Sequence, residues 1–105
     1  MEHLVVLITA PTAADARRIA RILVEERLAA CVNVLPGCES VYRWEGKVER
    51  TEEWLCLLKT TRDRFPELRR HVLRTHSYRV PEIIATAITV GAIDYLDWIR
   101  TETAS

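Results

Sequence analysis

Glu26-Arg27-Leu28-Ala29-Ala30-Cys31-Val32-Asn33-Val34-Leu35-Pro36-Gly37, continuing to Tyr42-Arg43-Trp44-Glu45-Gly46-Lys47, is the stretch that decides the fold. It reads as a helix end, a strand broken by Pro36-Gly37, and a tight turn at Glu45-Gly46. Pro and Gly interrupt a ladder at bulges and edges, and Gly supplies the positive φ of a two-residue hairpin turn. Cys31 to Trp44 is therefore one interrupted strand, and Lys47 to Thr60 returns as its partner. Each arm spans about 46 Å at ~3.3 Å per residue. A globule of this length has a radius of gyration of about 13 Å, hence a diameter of roughly 33 Å. The outer half of the hairpin must protrude or lie against a neighbour.

Working outward, Leu4-Val5-Val6-Leu7-Ile8 is a short buried strand ended by Thr9-Ala10-Pro11. Thr12 is a good helix N-cap, with Asp15 three residues on. Ala16, Ile19, Ala20, Leu23 and Val24 recur at helical spacing, which predicts an amphipathic helix ending near Arg27. Trp54-Leu55-Cys56-Leu57-Leu58 is apolar on both faces of its strand, so both sides are expected to be covered. Asp63 is the expected cap of a second helix, with Pro66 in its first turn and Phe65, Leu68, Val72 and Leu73 as its buried stripe. His76 to Glu82 is an irregular link. Ile83 to Thr89 reads as a fourth strand and Ala92 to Arg100 as a last short helix. The whole chain, 1–105, is one α+β domain of order β-α-β-β-α-β plus a C-terminal helix. That order is a ferredoxin-like sandwich with a long protruding hairpin between its second and third strands.

Composition bounds the function. Fifteen basic residues balance fifteen acidic ones, which favours neither nucleic acid nor a membrane surface as partner. Met1-Glu2-His3 lacks the basic region of a signal peptide, and the apolar run after it is too short for a span, so a cytoplasmic location is expected. The three cysteines, Cys31, Cys38 and Cys56, form no C-x-x-C pair and read as free thiols. No Gly-rich phosphate loop, G-x-S-x-G or H-E-x-x-H is present, so no enzyme is expected. A Cys31–His76 nucleophile pair stays open, since folding could join them.

Several blocks in order resemble the CutA1 family of divalent-cation-tolerance proteins. They are Leu7-Ile8-Thr9-Ala10-Pro11, Leu23 to Asn33, Tyr42-Arg43-Trp44-Glu45-Gly46-Lys47, Leu58-Lys59-Thr60-Thr61, Val80-Pro81-Glu82-Ile83-Ile84-Ala85 and Tyr95-Leu96-Asp97-Trp98-Ile99. The resemblance implies a homotrimer of PII-like shape with interlocked sheets and a role in divalent-cation (copper) tolerance. The family's His-Pro-Tyr followed by an acidic or polar residue stands here as His76-Ser77-Tyr78-Arg79. Ser77 should loosen the link that Pro would stiffen, and Arg79 adds a cation to it.

The expected ligand cleft comprises Cys31, Lys59, His76, Tyr78 and Glu82. Thiol, imidazole and carboxylate make Cys31, His76 and Glu82 the metal donors for Cu(II) or another divalent cation, with Lys59 a charge partner. No obligatory cofactor is implied. Lys59 and Arg79 also suit an anion, which leaves a PII-like signalling or adaptor trimer as the alternative. Tyr42, Trp44 and Trp54 are expected at subunit contacts. Glu49 and Glu53 share a strand face opposite Glu52 and read as a solvated or salt-bridged edge. His3 reads as incidental.

Overall fold

Leu4, Val6, Ile8 and Ala10 alternate along the first strand, and all four are buried. That period of two turns one face of β1 (His3–Ala10) toward the helices. In this computed structural model, which describes residues 2–104, β1 is followed by α1 (Ala13–Glu25), β2 (Cys31–Trp44) and β3 (Lys47–Thr61). A 3₁₀ turn (Arg62–Arg64), α2 (Phe65–Thr75), β4 (Ile83–Ala87) and α3 (Ile93–Glu102) complete it. The strands form one antiparallel sheet in the order β2-β3-β1-β4.

The termini of α1 are set locally. The Thr12 side chain accepts a hydrogen bond from the Asp15 N–H, a cap worth about 1 kcal/mol. At the other end Arg27 takes φ 59°, and the Leu28 N–H reaches back 2.9 Å to the Leu23 carbonyl. This is a Schellman closure with arginine where glycine is usual. The left-handed backbone costs roughly 1 kcal/mol in a non-glycine residue. The Arg27 guanidinium offsets it by donating to the last carbonyls of α3, at 3.4 Å to Thr101 and 3.2 Å to Glu102.

The hairpin follows the predicted boundaries to within a residue. Glu45 and Gly46 take φ 51° and 82°, the double left-handed turn that matches strand twist. Pro36-Gly37 is a bulge: the register steps from Leu35↔Leu55 to Cys38↔Glu53, one more residue on β2 than on β3. β1 ends opposite Trp54, so residues 38–44 and 47–53 pair only with each other. They extend the molecule to 44 Å against 25 and 22 Å in the other directions.

Three expectations change. Asp63 does not cap α2. It lies within the 3₁₀ turn, and α2 starts at Phe65 with no side-chain cap, its first turn relieved of one N–H by Pro66. Leu73 is 55% exposed, because Leu68 and Val72 already fill the inward face and Leu73 lies a further 100° round the helix. β4 stops at Ala87, and the Ile88 N–H makes a last bond to the His3 carbonyl where β1 runs out.

The core lies between the sheet and α1 and α2, built from Val6, Ile8, Leu23, Cys56, Leu58, Leu68 and Val72. The other side of the sheet carries Val5, Leu7, Leu55 and Leu57, all half-buried, and the exposed Ile84. Trp54 to Leu58 is thus apolar on both faces as expected, with one of them only partly covered. His3 is not incidental: its Nε2 lies 2.8 Å from the Leu96 carbonyl and ties α3 to β1.

Candidate functional site

The link, residues 76–82, folds across the open side of the sheet at the root of the hairpin. It starts where α2 ends, with the His76 N–H on the Val72 carbonyl at 2.8 Å. His76 as a whole is 9% exposed. One ring nitrogen, Nε2, lies 2.7 Å from the Thr9 carbonyl, and Nδ1 accepts from the Tyr78 N–H at 3.0 Å. A carbonyl only accepts, so Nε2 carries the proton and the imidazole is the neutral Nε2–H tautomer. Both nitrogens are committed to backbone. The rings of His76 and Tyr78 are in contact, tilted 40° to each other with centroids 4.9 Å apart.

Tyr78 then reaches the hairpin. Its hydroxyl donates to Glu53 Oε2 at 2.6 Å, and Glu53 is only 6% exposed. Burial, then the Glu53 carboxylate, pushes the Tyr78 phenol well above its ordinary pKa of 10.0. The phenol therefore keeps its proton and serves as the donor of this hydrogen bond. Arg79 lies over the Trp44 ring, 5.2 Å from its centroid, and pairs at 3.9 Å with Glu45 at the hairpin tip. These contacts stiffen the link without the proline that Ser77 replaces.

Link and hairpin enclose a cleft of about 660 Å³ lined by Tyr42, Trp44, Glu53, Tyr78, Arg79 and Glu82, among others. The bulge makes this lining possible. On β2, Cys31, Asn33 and Leu35 face the open side; after the extra residue, Cys38, Ser40, Tyr42 and Trp44 do. Without the bulge, Tyr42 and Trp44 would turn to the opposite face.

Of the expected cleft residues, Tyr78 and Glu82 line the cleft and His76 braces it. Cys31 and Lys59 do not reach it. They are register partners at the other end of the sheet, whereas His76 holds Thr9, which lies opposite Leu55. Four residues along β3 separate the two positions, about 13 Å. Within one subunit, then, the Cys31–His76–Glu82 metal set and the Cys31–His76 nucleophile pair do not assemble. Among the described residues no three His, Cys, Asp or Glu side chains cluster as metal ligands. The described residues of one chain do not by themselves fit a bound metal ion.

Lys59 donates to the Asn33 side chain. Cys31 is half-buried beside Tyr95, whose phenol is raised by burial and then by the neighbouring thiol. Cys56 is sealed in the core, and burial pushes its thiol up to about 11. Tyr42 and Trp44 are exposed, while Trp54 packs on the core of its own subunit under the Arg17 guanidinium. Glu53 is the residue that sequence reasoning missed. It shares a face with Glu49 as expected but is buried rather than solvated. The one local signal is a carboxylate set next to an apolar run.

Comparison with known proteins places this architecture. The CutA1 family, described as the CutA1 divalent ion tolerance protein, matches residues 4–102. The divalent-cation tolerance protein CutA of Thermus thermophilus is 54% identical over 94% of this chain and 96% of its own length. The crystal structure of CutA1 from Oryza sativa superposes with a TM-score of 0.96 at 42% identity, over 99% of this chain and 95% of that one. The structure described as the periplasmic divalent cation tolerance protein CutA of Archaeoglobus fulgidus gives 0.94 at 42%, over 97% and 99%.

Proposed function

Because the chain belongs to the CutA1 divalent ion tolerance family, we propose that it works as a cytoplasmic homotrimer in divalent-cation (copper) tolerance. It is a binding protein, with a ferredoxin-like subunit and a PII-like assembly. The observation that carries this reading is the open sheet face. Val5, Leu7, Leu55, Leu57 and Ile84 form an apolar surface that the subunit's own helices leave partly bare. Burying a leucine or isoleucine stabilises by about 1.5–3 kcal/mol, so a neighbouring chain gains most by covering that face. The protruding hairpin supplies unpaired strand edges for the same contact.

Metal ions, as the cargo of such a protein, are held weakly between subunits. Cys31 of one chain and Glu82 of another are the donors, and His76 serves as a brace, since both its nitrogens are engaged. The alternative of a small anion in the cleft draws no support from its walls. Glu53 and Glu82 line it, Glu39 at its edge is paired with Arg50, and the cation among its lining residues, Arg79, is paired with Glu45.

Light scattering and calorimetry test this together. The expected mass is three subunits, with Cu(II) binding that weakens in Cys31→Ser and Glu82→Ala and survives in Lys59→Met. A monomer, or Cu(II) binding indifferent to both donor changes, rejects the proposal.

A further inference from the structure

We propose that the outer face of α2 docks an acidic segment of a protein partner, with Arg69, Arg70 and Arg74 meeting its carboxylates and Leu73 taking an apolar side chain set among them. This face lies on the helix side of the sheet, opposite the surface that a neighbouring subunit covers, so it stays free in the assembly. It needs neither a metal ion nor the cleft.

Charge segregation is the first argument. The chain is neutral overall, yet α1 and residues 62–75 carry eight arginines against four carboxylates, and the rest of the chain carries the opposite excess. Arg69, Arg70 and Arg74 are all exposed. Arg70 pairs with Glu67 at 2.7 Å, and Arg69 lies over the Phe65 ring of its own helix, 5.9 Å from the centroid. Arg74 pairs with no carboxylate among the described residues. Glu67 registers the surplus: Arg70 holds its carboxyl below the usual carboxylate range, and Arg64 and Arg74 add to the pull. One carboxylate thus answers three guanidiniums. A surplus gathered on one face attracts a partner of the opposite sign.

The second argument is the apolar residue among them. Leu73 is 55% exposed, with Arg69 and Arg70 as its neighbours one helical turn back and Arg74 beside it. A lone exposed leucine is ordinary. Flanked by arginines, whose stems extend its apolar surface, it offers a contact that a bare anion cannot use. Glu67 also interrupts the basic row. Separate side-chain carboxylates can step around it, whereas a continuous phosphate backbone cannot, and guanidinium forks match carboxylates two bonds at a time.

The probe is an acetylated, dye-labelled hexapeptide, Asp-Glu-Glu-Phe-Glu-Asp, titrated into the full chain by fluorescence anisotropy with a chelator present. Its carboxamide counterpart, Asn-Gln-Gln-Phe-Gln-Asn, and hexathymidylate are the comparison probes. Saturable binding is expected at about millimolar affinity or tighter in low salt, weakening at least about tenfold at about 0.5 M salt. The carboxamide peptide should bind at least about tenfold more weakly. Arg69→Gln combined with Arg74→Gln should weaken binding about three- to tenfold, and Leu73→Ser about two- to threefold. Arg43→Gln combined with Lys47→Gln, on the hairpin, should leave it unchanged. Light scattering should return the wild-type mass for the α2 variants, whatever that mass is, which keeps this test apart from that of the assembly. A changed mass would make this face a subunit contact and overturn the inference. So would no binding, equal binding of the carboxamide peptide, tighter binding of hexathymidylate, or affinity that the α2 changes lower no more than the hairpin changes do.

Discussion

On the helix side of the sheet, Cys56 and Leu58 of β3 are wholly buried; on the other side, Leu55 and Leu57 of the same strand are only half-covered. One strand thus has one face completed by its own chain and one left for something else. The contrast extends to polar groups. The closed face buries a thiol. The open face carries Glu53, Tyr78 and the aromatic hairpin wall, where charge and hydrogen bonding survive near solvent. The packed core and the half-open apolar surface are therefore divided between opposite faces of one sheet, with strand alternation as the divider.

The largest test puts the same substitution on each face. Leu58→Asp buries an unpaired carboxylate in the core and should cost about 5 kcal/mol or more, enough to unfold a domain of ordinary stability. Leu57→Asp, one residue along, should leave the helical circular dichroism intact and reduce the mass seen by light scattering. If Leu57→Asp unfolds the protein as Leu58→Asp does, the two faces are not divided as described. If it leaves the mass unchanged, this face is not where subunits meet.

Cysteine chemistry gives the next test, because Cys56 faces the core and Cys31 and Cys38 the open side. The Cys56 pKa is raised from 9.0 to about 11, so its thiol keeps its proton longer in the folded chain than in the unfolded one. The stability this contributes is complete below pH 9 and is lost as pH rises from 9 to about 11. Two units correspond to about 2.7 kcal/mol per subunit. Urea denaturation across that range should fall by about this much, and Cys56→Val should flatten most of the fall. At pH 8 the lower thiolate fraction alone should make Cys56 alkylate about a hundredfold more slowly in the folded chain than in the urea-unfolded one. Equal rates would mean that the closed face opens readily.

What was legible in the sequence follows the range of the interaction concerned. The hairpin, with its bulge and turn, is written in Pro36-Gly37 and Glu45-Gly46, whose backbone preferences act within a few residues. Thr12 capped as expected for the same reason. Asp63 misled because a tight turn placed the helix start later, where Pro66 needs no cap. Glu53 looked solvated because its burial depends on Tyr78, which arrives from the far end of α2. Cys31 and His76 were grouped by chemistry alone. Their separation is set by strand register, which no local pattern near either residue records. The parity switch at Gly37 is the sharpest case: its residues were visible, but which face Tyr42 and Trp44 would take depended on where β3 paired.

That switch is also the smallest perturbation worth making. Gly37 takes φ +75°, and a Cβ added there would meet no atom within 4 Å. Gly37→Ala therefore adds backbone strain without a clash, costing about 1 kcal/mol in urea denaturation. The ladder on both sides, from Cys31↔Lys59 to Leu35↔Leu55 and from Cys38↔Glu53 to Trp44↔Lys47, should hold the register, so tryptophan fluorescence should be unchanged. Deleting Gly37 removes the extra residue itself and leaves Pro36 opposite Trp54; Cys38↔Glu53 to Trp44↔Lys47 should pair as before, so Tyr42 and Trp44 should stay on the Glu53 face while the local kink is lost. A large stability loss in Gly37→Ala would show that more than backbone preference holds the bulge, and altered tryptophan fluorescence after the deletion would show that the outer hairpin had slipped in register.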